Sequence, residues 1–263
     1  MNSPATHIDF QTSHLSIGYP SRKETLEVLS EINLAVNQPE LIAIIGKNGV
    51  GKSTLLRTLA GLQPALSGSY EINGKQSHSY TPLQWAQMIA VVLTEVPQNN
   101  DFTVYEMVAF GRQTYTNWLD QHTISDKEKI QEALEITHTW ELCRKRFAEL
   151  SDGQRQKVMI ARALAQDTPI IMLDEPTVHL DIHHSMEMFV LFQKLVQKHQ
   201  KTVIMTTHEI GLSVKLADVL WVIDHGRIFT DKTQQIVQNQ IISQVFDTDL
   251  IRFNTETMNF EYR

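Results

Sequence analysis

An α/β fold with a mainly parallel sheet is predicted for this 263-residue chain by three observations. First, Gly46-Lys47-Asn48-Gly49-Val50-Gly51-Lys52-Ser53-Thr54 reads G-x-x-x-x-G-K-S-T. It sits between the apolar run Leu41–Ile45 and leucines at helical spacing, Leu55, Leu56, Leu59 and Leu62, the strand–loop–helix setting that this motif needs. Second, apolar strands at Ile170–Leu173, Val203–Thr206 and Val219–Ile223 share the C-terminal half with the helical segment His183–His199. Third, the pattern between the two strand-bearing stretches is helical, and such alternation around a helical block implies a parallel sheet with an inserted all-helical subdomain. The expected organisation is a single domain: a core of residues 1–94 and 166–230, a helical subdomain of 95–165 and a tail of 231–263.

Taken in order, Asp9–Tyr19 and Thr25–Val36 read as N-terminal antiparallel strands around the polar turn Pro20-Ser21-Arg22-Lys23. The glycine loop follows Leu41–Ile45. Its glycines let the backbone wrap closely around anionic oxygens, and the amides at the helix start point at them. Lys52 supplies a point charge toward the β- and γ-phosphates, and Ser53 offers a hydroxyl to Mg²⁺. Gly46, Asn48, Gly49, Gly51, Lys52, Ser53 and Thr54 are therefore candidate ligands of a nucleoside triphosphate, and the core reads as a P-loop NTPase (RecA-like). Gly68–Ile72 is a strand with Asn73-Gly74 as its hairpin signal. Ile89–Leu93 is a buried strand, and the polar stretch Thr94–Asp101 is a loop. Val104, Met107 and Val108 then share a helical face that ends near Gly111, and Ser125-Asp126-Lys127-Glu128 reads as a capping box for a helix reaching about Thr137. A third helix runs from Gln154 to Ala165 with Ser151 as N-cap. From Thr230 to Arg263 the chain is weakly patterned, with a Gln-rich patch near Gln234–Gln240.

Composition narrows the function classes. Thirty acidic against 23 basic residues give a net charge of −7, which argues against nucleic acid as a partner. No apolar run approaches the length that spans a bilayer, and Met1–Phe10 lacks the basic-then-apolar pattern of a signal peptide. The single cysteine, Cys143, cannot form an internal disulfide and reads as a packing residue in a reducing cytosol.

Two further motifs carry chemistry. Ile170-Ile171-Met172-Leu173-Asp174-Glu175 is an apolar strand that ends in two acids. In this fold such a strand delivers its Asp beside the phosphates, where Asp174 can hold Mg²⁺ and Glu175 can polarise an attacking water. Leu150-Ser151-Asp152-Gly153-Gln154-Arg155-Gln156 precedes a helix. The positive end of that helix is expected to have no bound anion of its own to neutralise it.

In this order, the three motifs resemble the ATP-binding subunit of an ABC transporter, from about Leu15 to Ile228. Ser151-Asp152-Gly153-Gln154 resembles the family signature, usually S-G-G-Q, with Asp152 where the first glycine is common. The resemblance implies ATP and Mg²⁺ as ligands. It implies a homodimer of ATPase subunits in which ATP lies between the phosphate loop of one and Ser151, Gly153 and Gln154 of the other. By the same resemblance Tyr19 stacks on adenine, His208 in Met205-Thr206-Thr207-His208 contacts the γ-phosphate, and Asp181 lies in the loop that couples the two sites. Glu175 and His208 are then the catalytic pair, and Ser53 and Asp174 the metal ligands. A departure falls at Thr94-Glu95, where the family has a glutamine that touches Mg²⁺ and the transmembrane partner. Either Glu95 takes that place as a metal ligand or the loop shifts to use Gln98.

Thr103-Val104-Tyr105-Glu106-Met107-Val108-Ala109-Phe110-Gly111-Arg112 is similar to T-V-x-E-x-V-x-x-G-R, frequent in importers of iron–siderophore, haem and cobalamin type. The implied function is ATP hydrolysis that powers a bacterial importer of ferric siderophores, haem or cobalamin by ATP-driven dimer closure. The implied partners are transmembrane permease subunits, met at the helical subdomain, and indirectly a substrate-binding protein. The implied location is the cytoplasmic face of the bacterial inner membrane. The alternative is a soluble ABC ATPase of iron–sulfur cluster assembly, which would share every catalytic motif.

Overall fold

The computed structural model describes residues 9–21, 25–94, 101–115, 122–178 and 180–263. β1 (Phe10–Tyr19) pairs antiparallel with β2 (Leu26–Ile32) and β3 (Ala35–Val36). The strand expected over Thr25–Val36 is thus divided. At the break Thr12 Oγ1 donates to Ile32 O and accepts from Leu34 N–H, so a side chain replaces part of the ladder. β4 (Leu41–Gly46) is buried along its whole length and runs through the glycine loop into α1 (Lys52–Leu59). β5 (Ser67–Ile72) and β6 (Lys75–Gln76) join across Asn73 and Gly74, at φ +52° and +70°, the left-handed pair that a tight hairpin demands. α2 (Pro82–Ala86) is a short helix that the sequence pattern did not announce. It has a Thr81/Gln84 capping box and Pro82 in its first turn. β7 (Ile89–Val92) follows.

Three helices come next: α3 (Val104–Ala109), α4 (Ile124–Ile136) and α5 (Asp152–Ala165). The capping box of α4 lies two residues before the one expected, with Thr123 as N-cap and Asp126 as its partner. Asp126 is drawn there by a second bond: the carboxylate also accepts from Arg112 Nε at 2.9 Å, in a pair that is almost wholly buried. β8 (Ile170–Asp174), α6 (Ile182–His199), β9 (Thr202–Thr206), α7 (Ile210–Leu216), β10 (Val219–Asp224) and β11 (Arg227–Lys232) complete the core. Beyond them the chain forms α8 (Thr233–Gln238), α9 (Ile241–Phe246) and the hairpin β12 (Ile251–Asn254)–β13 (Asn259–Tyr262).

Among the described residues the main sheet has the order β11-β10-β4-β9-β8-β7, parallel throughout except for β10–β11. Successive side chains on its strands serve opposite faces. Ile42, Ile44, Met172, Ile204 and Trp221 pack with α1 and the antiparallel sheet. Ala43, Ile45, Leu173, Met205 and Val222 pack with α5, α6 and the C-terminal helices. The weakly patterned tail is therefore core-forming: Ile236, Val237, Ile242, Val245 and Phe253 are buried in that second cluster. No described helix is long and apolar enough to cross a membrane.

Candidate active site

The parallel register brings the carboxyl ends of β4, β8 and β9 side by side, with Ile44 opposite Thr206 and Thr206 opposite Asp174. Ligands in open α/β sheets bind at this edge. A hollow of about 500 Å³ lies there, lined by Tyr19, Leu26, Val28, Asn48, Gly49, Gly51, Lys52, Ser53, Thr54, Glu175 and His208, within the usual size of a small-molecule site. A larger hollow of about 720 Å³, beside Tyr70, Tyr80 and Trp85, carries no acid, lysine or arginine, so the chemistry concentrates in the smaller one.

The loop needs glycine where its backbone turns left-handed. Gly51 has φ +105°, and a Cβ there would come within 2.4 Å of Val28 Cγ1. Lys52 follows it, only 5% exposed. Its Nζ donates to the carbonyls of Gly46 at 3.0 Å and Lys47 at 3.2 Å, which holds the ammonium under the loop. Burial pulls the Lys52 pKa below the usual lysine value, while Glu175 and Asp174 oppose that shift and keep the cation in place.

Asp174 is 2% exposed and fully engaged. Its Oδ1 accepts from Ser53 Oγ at 2.7 Å and from Thr206 Oγ1 at 2.8 Å, and its Oδ2 lies 3.6 Å from Arg57 Nη2. Thr94 Oγ1 donates to its backbone carbonyl at 2.9 Å. The Thr206 hydroxyl accepts from the Glu175 amide at 2.9 Å, so one threonine braces both acids. Glu175 itself sits at φ +50°, a strained value for a non-glycine residue. Its Oε1 lies 2.8 Å from His208 Nε2. Tyr19, half exposed at the mouth, meets Thr54 through the two hydroxyls at 3.0 Å.

Of the residues singled out in the sequence, the structure brings together Tyr19, the phosphate-loop set, Asp174, Glu175 and His208. Ser151, Gly153, Gln154 and Asp181 do not line this hollow. Ser151 caps α5 in a capping box with Gln154, and Asp181 caps α6. Burial alone would not lower the Asp181 pKa; hydrogen bonds from the His184 amide and ring do. Glu95 and Gln98 lie outside the described residues. The segment Thr103–Arg112 turns inward more than its expected docking role requires. Thr103 and Glu106 form a capping box, Val104, Met107 and Val108 are core, and Arg112 is paired with Asp126 while donating to Ala165 O. Thr206, Arg57, Leu26 and Val28 were missed. A threonine ending an apolar strand next to an Asp-bearing strand was the one available signal for Thr206, since parallel register places such ends together.

Chemically, this arrangement offers a cation and backbone amides for phosphate, a hydroxyl–carboxylate pair for a divalent ion, and a carboxylate–imidazole pair for moving a proton. Residues 29–178 match the family described as ABC transporter. An uncharacterised ABC transporter ATP-binding protein of Methanocaldococcus jannaschii is 36% identical over 96% of this chain and 86% of its own length. The petrobactin import ATP-binding protein FpuD of Bacillus anthracis is 36% identical over 90% and 85%. Among solved structures, an inward-facing ABC transporter assigned to the metal-chelate type superposes with a TM-score of 0.78 at 28% identity, covering 91% of this chain and 89% of that one. A dimeric ATP-binding cassette in a post-hydrolysis state with ADP and phosphate gives 0.73 at 25% identity, covering 85% and 98%.

Proposed function

This chain belongs to the ABC transporter family as an ATP-hydrolysing, ATP-binding import subunit, and from that premise we propose that it drives uptake of a metal chelate, a ferric siderophore first, by closing and reopening as a homodimer around ATP. The observation that carries the mechanism is the Glu175–His208 pair, 2.8 Å apart, at the edge of the hollow that the phosphate loop floors.

The phosphate loop and Lys52 would hold the β- and γ-phosphates, with Lys52 trading its two carbonyl partners for phosphate oxygens. Ser53 and Asp174 are hard oxygen donors that already converge at 2.7 Å, and this pair fits Mg²⁺. When bound, the ion would neutralise charge on the β- and γ-oxygens. Glu175 takes a proton from a water whose oxygen attacks the γ-phosphorus, and ADP departs as the bond between the γ-phosphorus and the β–γ bridging oxygen breaks. His208 holds the Glu175 carboxylate in line and faces the departing phosphate. Leu26 and Val28 widen the apolar platform that Tyr19 begins for the adenine.

Beyond the capping of α5 and α6, Ser151, Gly153, Gln154 and Asp181 meet a nucleotide only if a second copy presents one to them. Contrary to expectation, the α5 end is not without an anion: Asp152 stands in its first turn, answered by Arg155 at 3.2 Å, so what the exposed end has to offer that nucleotide is its backbone amides and the Ser151 hydroxyl. The dimeric cassette among the structural relatives supports this reading. The relative named for petrobactin import and the neighbour of metal-chelate type support the cargo class. Transmembrane permease subunits, a substrate-binding protein that feeds them, and docking at the cytoplasmic face of a bacterial membrane complete the proposal.

The test is Glu175→Gln. Removing a general base of this kind costs about 10²–10⁴-fold in turnover, so ATP binding should persist while hydrolysis falls by at least that lower bound. Wild-type turnover in the variant would remove Glu175 from the role. Cargo is tested separately, by purifying the chain with its permease from native membranes and screening the associated binding protein with ferric siderophores, haem and cobalamin.

A further inference from the structure

One imidazole joins Asp181 to the start of α5. His184 occupies the third position of α6, and its backbone N–H donates to Asp181 Oδ1 at 2.9 Å, which is all that an N-cap requires. The ring adds a second contact, with Nδ1 2.9 Å from the same oxygen. A neutral ring protonated at Nδ1, or an imidazolium, donates there. Two donors on one oxygen fix the carboxylate's rotation, which capping alone leaves free.

The opposite edge of the ring faces the other helix. A methyl group placed on Gly153 would meet His184 Cδ2 at 3.7 Å and Leu180 Cδ2 at 3.5 Å, ordinary contact distances. Three residues farther along α6, Glu187 accepts from Lys157 of α5 at 2.8 Å. The Leu180–His184 turn and the Ser151–Gln154 turn therefore lie side by side, with room for a methyl group between Gly153 and the ring, and the Lys157–Glu187 pair ties α5 to α6 one turn farther on.

We propose that His184 is a positioning residue: its Nδ1–H holds the Asp181 carboxylate in one orientation, so that Asp181, beside the Ser151–Gln154 turn, is presented in fixed geometry to a second copy's nucleotide site. This rests on the two-copy reading of the preceding section. His184 touches no nucleotide itself and acts through Asp181.

The experiment is a double-mutant cycle on steady-state ATP turnover, with wild type, Asp181→Ala, His184→Ala and the double variant, alongside His184→Asn, whose side-chain amide nitrogen reproduces the reach of Nδ1. Misplacing a site element typically costs between about 10- and 100-fold. Asp181→Ala and His184→Ala should each lower kcat by at least ~10-fold, with unchanged ATP affinity of the isolated subunit; His184→Ala keeps the α6 cap and its thermal midpoint, whereas Asp181→Ala loses the cap and a few degrees, so rates are compared well below both midpoints. The double variant should be no slower than Asp181→Ala, and His184→Asn should restore most of the rate. Losses that multiply in the double variant, a wild-type rate for His184→Ala beside a slow Asp181→Ala, or failure of Asn to rescue would each overturn the proposal. A wild-type rate for Asp181→Ala would sink the in-trans reading of that loop, and this inference with it.

Discussion

Three residues at the site, Gly49, Gly51 and Glu175, hold left-handed backbone conformations that side chains resist, each in a different setting. Gly51 is left-handed and also pressed against Val28, whereas Gly49, at φ +77°, has open space where a Cβ would go. Gly49→Ala should therefore cost only the left-handed penalty, about 1–2 kcal/mol. Gly51→Ala should cost more than that and weaken nucleotide binding as well, because the loop must shift to clear Val28. Urea midpoints and ATP affinities of the two variants check the order; equal losses would refute the crowding at Gly51. Glu175, at φ +50°, is held by the hydrogen bond that its backbone N–H donates to Thr206 Oγ1, so Thr206→Val should slow turnover although it touches no reacting atom. Retention of full turnover by Thr206→Val would count against that bracing role.

At the scale of elements, the helical block is stapled by Arg112 and Asp126, which are 7% and 4% exposed in their side chains. Removing one partner leaves the other charge buried and alone, a loss of about 3–5 kcal/mol. Asp126→Ala should therefore lower the urea midpoint far more than Asp152→Ala, which breaks an exposed pair with Arg155. Burial would raise the Asp126 pKa, but the Thr123 hydroxyl and amide and the Arg112 guanidinium outweigh it and hold the carboxyl below its usual value. A carboxyl depressed on folding contributes stability above its unfolded pKa of about 4, and that contribution is lost as pH falls through the folded value. The acid limb of the stability–pH profile should accordingly be shallower in Asp126→Asn than in wild type. The same staple shows what part of the Thr103–Arg112 pattern does in the fold. Gly111 has Arg162 O where a Cβ would be, 2.2 Å away, and Arg112 reaches Ala165 O, so the pattern there answers to packing between α3, α4 and α5.

For the whole molecule, the site on one copy is complete for phosphate and water but lacks any use for the α5 terminus. ATP should therefore convert Glu175→Gln from monomer to dimer in light scattering, and Ser151→Arg added to that background should block the conversion through bulk and charge at the seam. A constant mass with saturating ATP would defeat the closure reading. The chain by itself determined the phosphate loop, the Asp174-Glu175 strand end and the α/β order, because those depend on local backbone needs and on periodicity within one element. It also located Ser151 as a cap, since a capping box is written in adjacent residues. Tertiary structure decided what depends on two distant segments meeting: Thr206 beneath both acids, Arg57 against Asp174, the Arg112–Asp126 staple and the tail's burial against α7 and β10. The tail shows the physical reason most clearly. Its helices are six residues each, too short to display a period, and their stability comes from the apolar face that they find already formed on the core.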